Sequence, residues 1–89
     1  MKAVITVVGC DRTGILALIA NECALNNCNI LDVSQTIVDG IFTMTMICDM
    51  DRLEISFEKF AEHMELIGTE NGLAVRVMNQ SIFKAMHSI

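Results

Sequence analysis

The chain has no proline, no tryptophan and no tyrosine, and it sets only 6 Lys+Arg against 11 Asp+Glu. With no proline, no low-complexity segment and no linker-like stretch, nothing marks a boundary, so residues 1–89 are expected to form a single domain. A chain this short has no room for two independent cores. The deficit of basic residues leaves a net charge of −5, which opposes the phosphate neutralisation that nucleic-acid binding requires, and excludes nucleic acid as a direct partner. Although 53% of the residues are hydrophobic, no apolar run reaches the roughly 18–20 residues that span a bilayer. The hydrophobicity is therefore expected to be hidden in a soluble assembly rather than in a membrane. Met1 to Val7 reads as a strand and lacks the basic, apolar and small-residue order of a signal peptide, so the expected location is the cytoplasm. The four cysteines, Cys10, Cys23, Cys28 and Cys48, contain no C-x-x-C pair, so no zinc knuckle or redox motif is spelled out. They are expected to be reduced and mostly in the core.

What the chain does have is clear periodicity. Ala3, Ile5 and Val7 alternate with Val4, Thr6 and Val8, a β-branched run ending at Gly9 that predicts a first strand covered at least in part on both faces. Leu16, Ile19, Ala20 and Cys23 fall at helical spacing and predict a helix over about 14–27 with those residues as its core stripe. Ile15, Ala17, Leu18, Ala24 and Leu25 lie off the stripe, so this helix is expected to have a second contact surface. Residues 29–38 and 41–49 read as strands joined by Asp39-Gly40, a strong signal for a type I′ hairpin. In the second of these, Phe42, Met44, Met46 and Cys48 point to the core while Ile41, Thr43, Thr45 and Ile47 make a half-polar face. Ser56 can cap a second helix whose stripe is Phe57, Phe60, Ala61, Met64 and Ile67, with Glu58, Lys59, Glu62, His63 and Glu65 in solvent. Asn71-Gly72 stops it, Leu73 to Asn79 forms a fourth strand, and Ile82, Phe83 and Met86 suit a short helix in the tail, 80–89. The order βαββαβ plus a tail predicts an α+β, ferredoxin-like sandwich: a four-stranded antiparallel sheet, in the order four, one, three, two, with two helices on one face.

Six residues between the first strand and first helix, Gly9-Cys10-Asp11-Arg12-Thr13-Gly14, carry the chemistry. Gly14 opens the helix N-terminus, where free backbone N–H groups and the helix dipole favour an anion such as a carboxylate. Asp11 or Thr13 can cap the helix, and Arg12 can pair with a carboxylate. The alternative is a capped turn with Arg12 in water. The G-x-x-x-x-G spacing is not a phosphate-binding loop, because Ile15-Leu16 replaces the Lys and Ser/Thr that hold phosphate and magnesium. Cys10 alone does not make the paired-thiol loop of a metal chaperone, and a lone Phe42 on the central strands does not make the aromatic platform of an RNA-recognition domain. Met44 and Met46 read as core filler, and Asp49, Asp51 and Glu54 as a solvated acidic connection. His63 and His87 are near no nucleophile in sequence and read as surface residues, so neither a catalytic constellation nor a cofactor site is spelled out.

Asp11-Arg12-Thr13-Gly14-Ile15-Leu16 after a strand, with Asn27-Cys28-Asn29-Ile30 closing the next helix, resembles the ACT domain, a small regulatory module of amino-acid metabolism. Ile30 to Thr36, Phe42-Thr43-Met44 and Ile82 to His87 are more specifically similar to stand-alone bacterial ACT proteins and to the repeats of the glycine cleavage system transcriptional repressor. The resemblance implies non-catalytic domains that pair side by side through their second strands, as homodimers here. It also implies an amino acid bound where the first loop and helix meet the neighbouring subunit. Carried to this sequence, Asp11, Arg12, Thr13, Gly14, Ile15 and Leu16 supply one wall of that site and Asn29, Ile30 and Asp32 the other. Many amino-acid-binding members have proline before the loop glycine, where this chain has Thr13. The competing expectation is a protein-interaction module that dimerises and docks on a partner without a small ligand.

Overall fold

The computed structural model describes residues 1–86; the predicted tail residues beyond Met86, His87 among them, lie outside the described residues. The elements are β1 (Lys2–Cys10), α1 (Ile15–Leu25), β2 (Asn29–Val38), β3 (Ile41–Asp49), α2 (Phe57–Glu70), β4 (Ala74–Asn79) and α3 (Gln80–Met86). The four strands form one sheet in the order β2-β3-β1-β4, with every pairing antiparallel. This is the predicted topology. Asp39 and Gly40 hold φ 51 and φ 75, the two positive angles that a type I′ turn demands between β2 and β3.

Strand alternation decides where the core sits. Ala3, Ile5 and Val7 of β1, Phe42, Met44, Met46 and Cys48 of β3, and Val75 and Val77 of β4 are buried on one face of the sheet. Ile15, Ile19 and Cys23 of α1 and Phe60 and Met64 of α2 close that face. Each such large side chain contributes about 1.5–3 kcal/mol relative to leaving it in water. The buried stripe of α1 differs from the expected one. Ile15 takes the place assigned to Leu16, which is exposed, and Ala20 is only half-buried. Because α1 is apolar over most of its circumference, periodicity alone does not say which of two adjacent stripes meets the sheet.

Ser56 caps α2 as expected, its Oγ accepting from the Lys59 N–H at 3.2 Å. Near the helix end, a Cβ built on Gly68 would stand 2.6 Å from Val75 Cγ2 and 2.9 Å from the Leu73 carbonyl oxygen, so α2 rests almost backbone to backbone against β4. His63, expected in solvent, lies partly between the helices, with its Nε2 2.7 Å from Glu22 Oε2 of α1. The sheet's second face is not left open along its length. Val4 is buried but stands apart from the main core, on the opposite parity of β1, where α3 packs against β1 and β4. Helix α3 thus folds back over the part of the second face beside β1 and β4, leaving Ile82 and Met86 exposed.

Candidate functional site

The hinge between β1 and α1 is built by two long-range ties and one glycine. The Asp11 N–H donates to the Gly40 carbonyl at 2.9 Å, which fixes the hinge beside the β2–β3 turn. Arg12 Nη1 donates to the Asn71 carbonyl at 2.7 Å, which fixes its other side to the end of α2. Arg12 is therefore neither paired with a carboxylate nor free in water. Gly14 is the N-cap of α1, at φ 92 and ψ 3, and no side chain caps the helix. Neither Asp11 nor Thr13 takes the capping role open to them. The consequence is an uncapped helix start whose N–H groups and positive dipole end are open to an anion.

The predicted wall residues divide by what they can offer. Asp11, Arg12, Thr13 and Gly14 are exposed, and so is the Leu16 side chain. Ile15 is buried in the core, which leaves only its backbone for the hinge. The second wall is elsewhere. Asn29 pairs with Asp49, which pairs in turn with Lys2, so Asn29, Ile30 and Asp32 sit at the start of β1 whereas the hinge follows its end. At about 3.3 Å per residue the nine-residue β1 separates the two walls by roughly 25 Å. The fold brings the six hinge residues together and does not join them to the other three within one chain.

Around the second wall the backbone is irregular and concave. The register shifts between Ile30 and Asp32, a bulge at Leu31, and Asp32 Oδ1 accepts from the Val33 N–H at 2.9 Å. An open groove of about 750 Å³ lies there, bordered by Asn27, Asn29, Asp49 and Arg52. Its acidic neighbours are mostly engaged: Asp49 Oδ1 accepts from the Asp51 N–H at 2.9 Å, Glu54 Oε1 from Asn27 Nδ2 at 2.8 Å, and Asp51 pairs with the Met1 amine. That amine is raised from its ordinary pKa, and Asp51 is lowered, by the hydrogen bond between them.

Sequence reasoning missed one constellation altogether. Cys10 is exposed at the end of β1, but Cys23, Cys28 and Cys48 are buried, with their Sγ atoms all within 4.8 Å of one another. Hydrogen bonding with Cys23 and then Cys48 lowers the Cys28 thiol, while Cys48 is pushed up by its contacts with Cys23 and then Cys28, and Cys23 is pushed up by the bond to Cys28. No spacing motif announces this cluster, since Cys23 and Cys28 are five apart and Cys48 comes from β3.

A sheet in this order, with α1 and α2 on one face and an uncapped helix start at the end of the central strand β1, defines a small ferredoxin-like α+β module. The ACT domain family profile matches residues 2–78. A UPF0237 protein of Methanocaldococcus jannaschii is 44% identical over 88 residues, covering 99% of this chain and 98% of that one. Among solved structures, an ACT domain protein from Streptococcus pneumoniae superposes with a TM-score of 0.82 at 36% identity, covering 97% of both chains. A chain assigned as a glycine cleavage system transcriptional repressor superposes with a TM-score of 0.70 at 26% identity, covering 85% of this chain and 43% of that one. The chain belongs to the ACT domain family, whose members are in general regulatory and ligand-binding. No helix of the described residues is long and apolar enough to cross a membrane.

Proposed function

We infer that this protein is a non-catalytic cytoplasmic sensor that acts as a homodimer and binds an amino acid between its subunits. The single observation that carries the reading is the separation of the two walls along an exposed edge strand. β2 is at the edge of the sheet, and Val33, Ile37 and Val38 leave apolar surface exposed along it. Unpaired strand edges of this kind seek a partner strand. If two copies of β2 pair antiparallel about a two-fold axis, Asn29 to Asp32 of one chain approach Val38 and the hinge of the other. The symmetry thus supplies each hinge with the second wall and the groove that its own chain holds far away. The hinge N–H groups suit a carboxylate, and Asp32 or Asp11 suits an ammonium. Leu16 offers an apolar surface to a side chain. Reduced thiols fit a cytoplasmic setting, where disulfides are rare.

The test is a calorimetric screen of the common amino acids against wild-type protein and Gly14→Asp, with light scattering to give the mass in solution. The reading expects a dimer stabilised by at least one amino acid, with the stabilisation lost in Gly14→Asp. A monomer at micromolar concentration, or no stabilising amino acid, contradicts it. A second reading, a docking module that needs no ligand, rests on Ile82 and Met86, which α3 leaves exposed. It expects partner capture to be lost on replacing both with Ser while the dimer persists; unchanged capture of the same partners contradicts it.

A further inference from the structure

We propose that Cys23, Cys28 and Cys48 form a three-thiolate binding site for a soft d10 cation, specifically Cu(I). Three elements converge to make it. Cys23 is on the last turns of α1, Cys48 faces the core from β3, and Cys28 follows the turn at Asn27, which holds φ 56. The Cys28 N–H donates to the Cys23 carbonyl at 2.9 Å, so the chain doubles back and returns the third sulfur to the other two. The Sγ atoms lie within 4.8 Å of one another. A metal held at about 2.3 Å from three sulfurs in a plane needs them about 4 Å apart, so a small inward movement of the side chains closes the site.

The donor set chooses the ion. Among the described residues no histidine or carboxylate joins the cluster, and all three cysteines are buried. Thiolate-only coordination favours soft ions. Structural Zn(II) takes four ligands in a tetrahedron, and the fourth is missing here, whereas a three-coordinate sulfur site suits Cu(I). Access is through Cys28, which borders the open groove together with Asn27, Asn29 and Asp49. A donor thiol entering the groove can hand the ion to Cys28 first, after which Cys23 and Cys48 complete the coordination. No electron is transferred: Cu(I) enters, and each thiol that becomes a ligand releases its proton to solvent. The bland reading is three small core residues, since a free cysteine packs as a compact hydrophobe. It predicts no preferential retention of any ion. The cluster is also remote from the hinge, since Ile15 and Cys23 are eight residues, or about 12 Å, apart along α1. Cys28 does border the groove that also carries the second wall, so the copper titration is run without amino acids and its outcome does not depend on their binding.

The experiment titrates Cu(I) into the reduced full chain under anaerobic conditions, in competition with the coloured chelator bicinchoninate. The expected result is one Cu(I) retained per chain, with X-ray absorption at the copper edge showing three sulfur neighbours. Cys10→Ser keeps that affinity. Cys28→Ala, checked for folding by circular dichroism, loses more than the roughly 10–100-fold that removal of an outer-shell partner costs. If Cys28→Ala does not fold, the absorption spectrum of wild-type protein decides. No retention against the chelator, nitrogen or oxygen neighbours around copper, undiminished affinity in folded Cys28→Ala, loss in Cys10→Ser, or preferential retention of Zn(II) in a mixed titration each overturns the proposal.

Discussion

Replacing Gly14 separates the two roles assigned to it, as a backbone hinge and as an opening for a ligand. The residue holds φ 92 as N-cap of α1, and a Cβ added there would meet nothing within 4 Å in the single chain. The requirement for glycine within one subunit is therefore conformational, not spatial. An L-residue in the left-handed region costs about 1–2 kcal/mol. Replacing glycine by alanine also restricts the unfolded chain, which offsets about 0.4–1 kcal/mol of that cost. The net loss for Gly14→Ala is then about 0–1.6 kcal/mol, centred near 0.8, which at about 4–8 °C per kcal/mol lowers the melting temperature by roughly 3–6 °C at the centre of that range. D-Alanine introduced at the same position by ligation of synthetic segments adds the same methyl group but accepts positive φ without strain. That protein is expected to melt at or above the wild-type temperature while binding amino acids more weakly, because the methyl stands where the ligand approaches the helix N–H groups. Thermal melts followed by circular dichroism and calorimetric titration of the three proteins give both quantities. A Gly14→Ala protein more stable than wild type would mean that the hinge is not left-handed. A D-alanine protein that binds at full strength would refute the approach of a ligand to this backbone.

Gly68→Ala is expected to destabilise despite the roughly 1 kcal/mol that alanine gains in a helix, because its methyl would overlap Val75 Cγ2 at 2.6 Å and overpacking costs about 1–3 kcal/mol. Urea unfolding measures the sign, and a stabilised variant would contradict the close approach of α2 to β4. Truncation after Asn79 uncovers Val4 and is expected to cost about 1–2 kcal/mol while preserving the β-sheet signal in circular dichroism. Unchanged stability would show that α3 does not cover that face. A double-mutant cycle on Glu22→Gln and His63→Gln is expected to return a coupling of about 0.2–1 kcal/mol, modest because the His63 side chain is 41% exposed. Zero coupling would mean that the two helices are not joined through this pair.

The fold was legible because three independent signals agreed on it. Strand alternation in β1 and β3, the Asp39-Gly40 turn and the Ser56 cap each carry local physics that the tertiary structure did not overrule. The buried stripe of α1 was not legible, since a helix apolar nearly all round gives no contrast between Ile15 and Leu16. The hinge was visible as six residues of loop chemistry, but its ties were not. Arg12 reaches the Asn71 carbonyl, and the Asp11 N–H reaches Gly40, across separations that no local pattern encodes. The sulfur cluster was invisible for the same reason. Its third member arrives through sheet register, where Cys48 pairs with Ile30, two residues after Cys28. The most consequential surprise concerns the two walls of the candidate site, which the sequence sets only 13 positions apart, from Leu16 to Asn29, and the fold places at opposite ends of the sheet.

That arrangement makes subunit complementation the most direct test of the central claim, a binding site shared by two chains. One variant carries Gly14→Asp in the hinge, and the other carries Asn29→Ala with Asp32→Ala at the start of β2. Each alone is expected to lose calorimetric binding of the amino acid that best stabilises the wild type. When the two are unfolded together and refolded as a mixture, a heterodimer contains one site with both walls intact and one with both walls altered. The account predicts that binding returns at wild-type affinity, with one ligand per heterodimer. Two variants that fold and dimerise, lose binding separately and fail to recover it together would contradict a site shared across the interface.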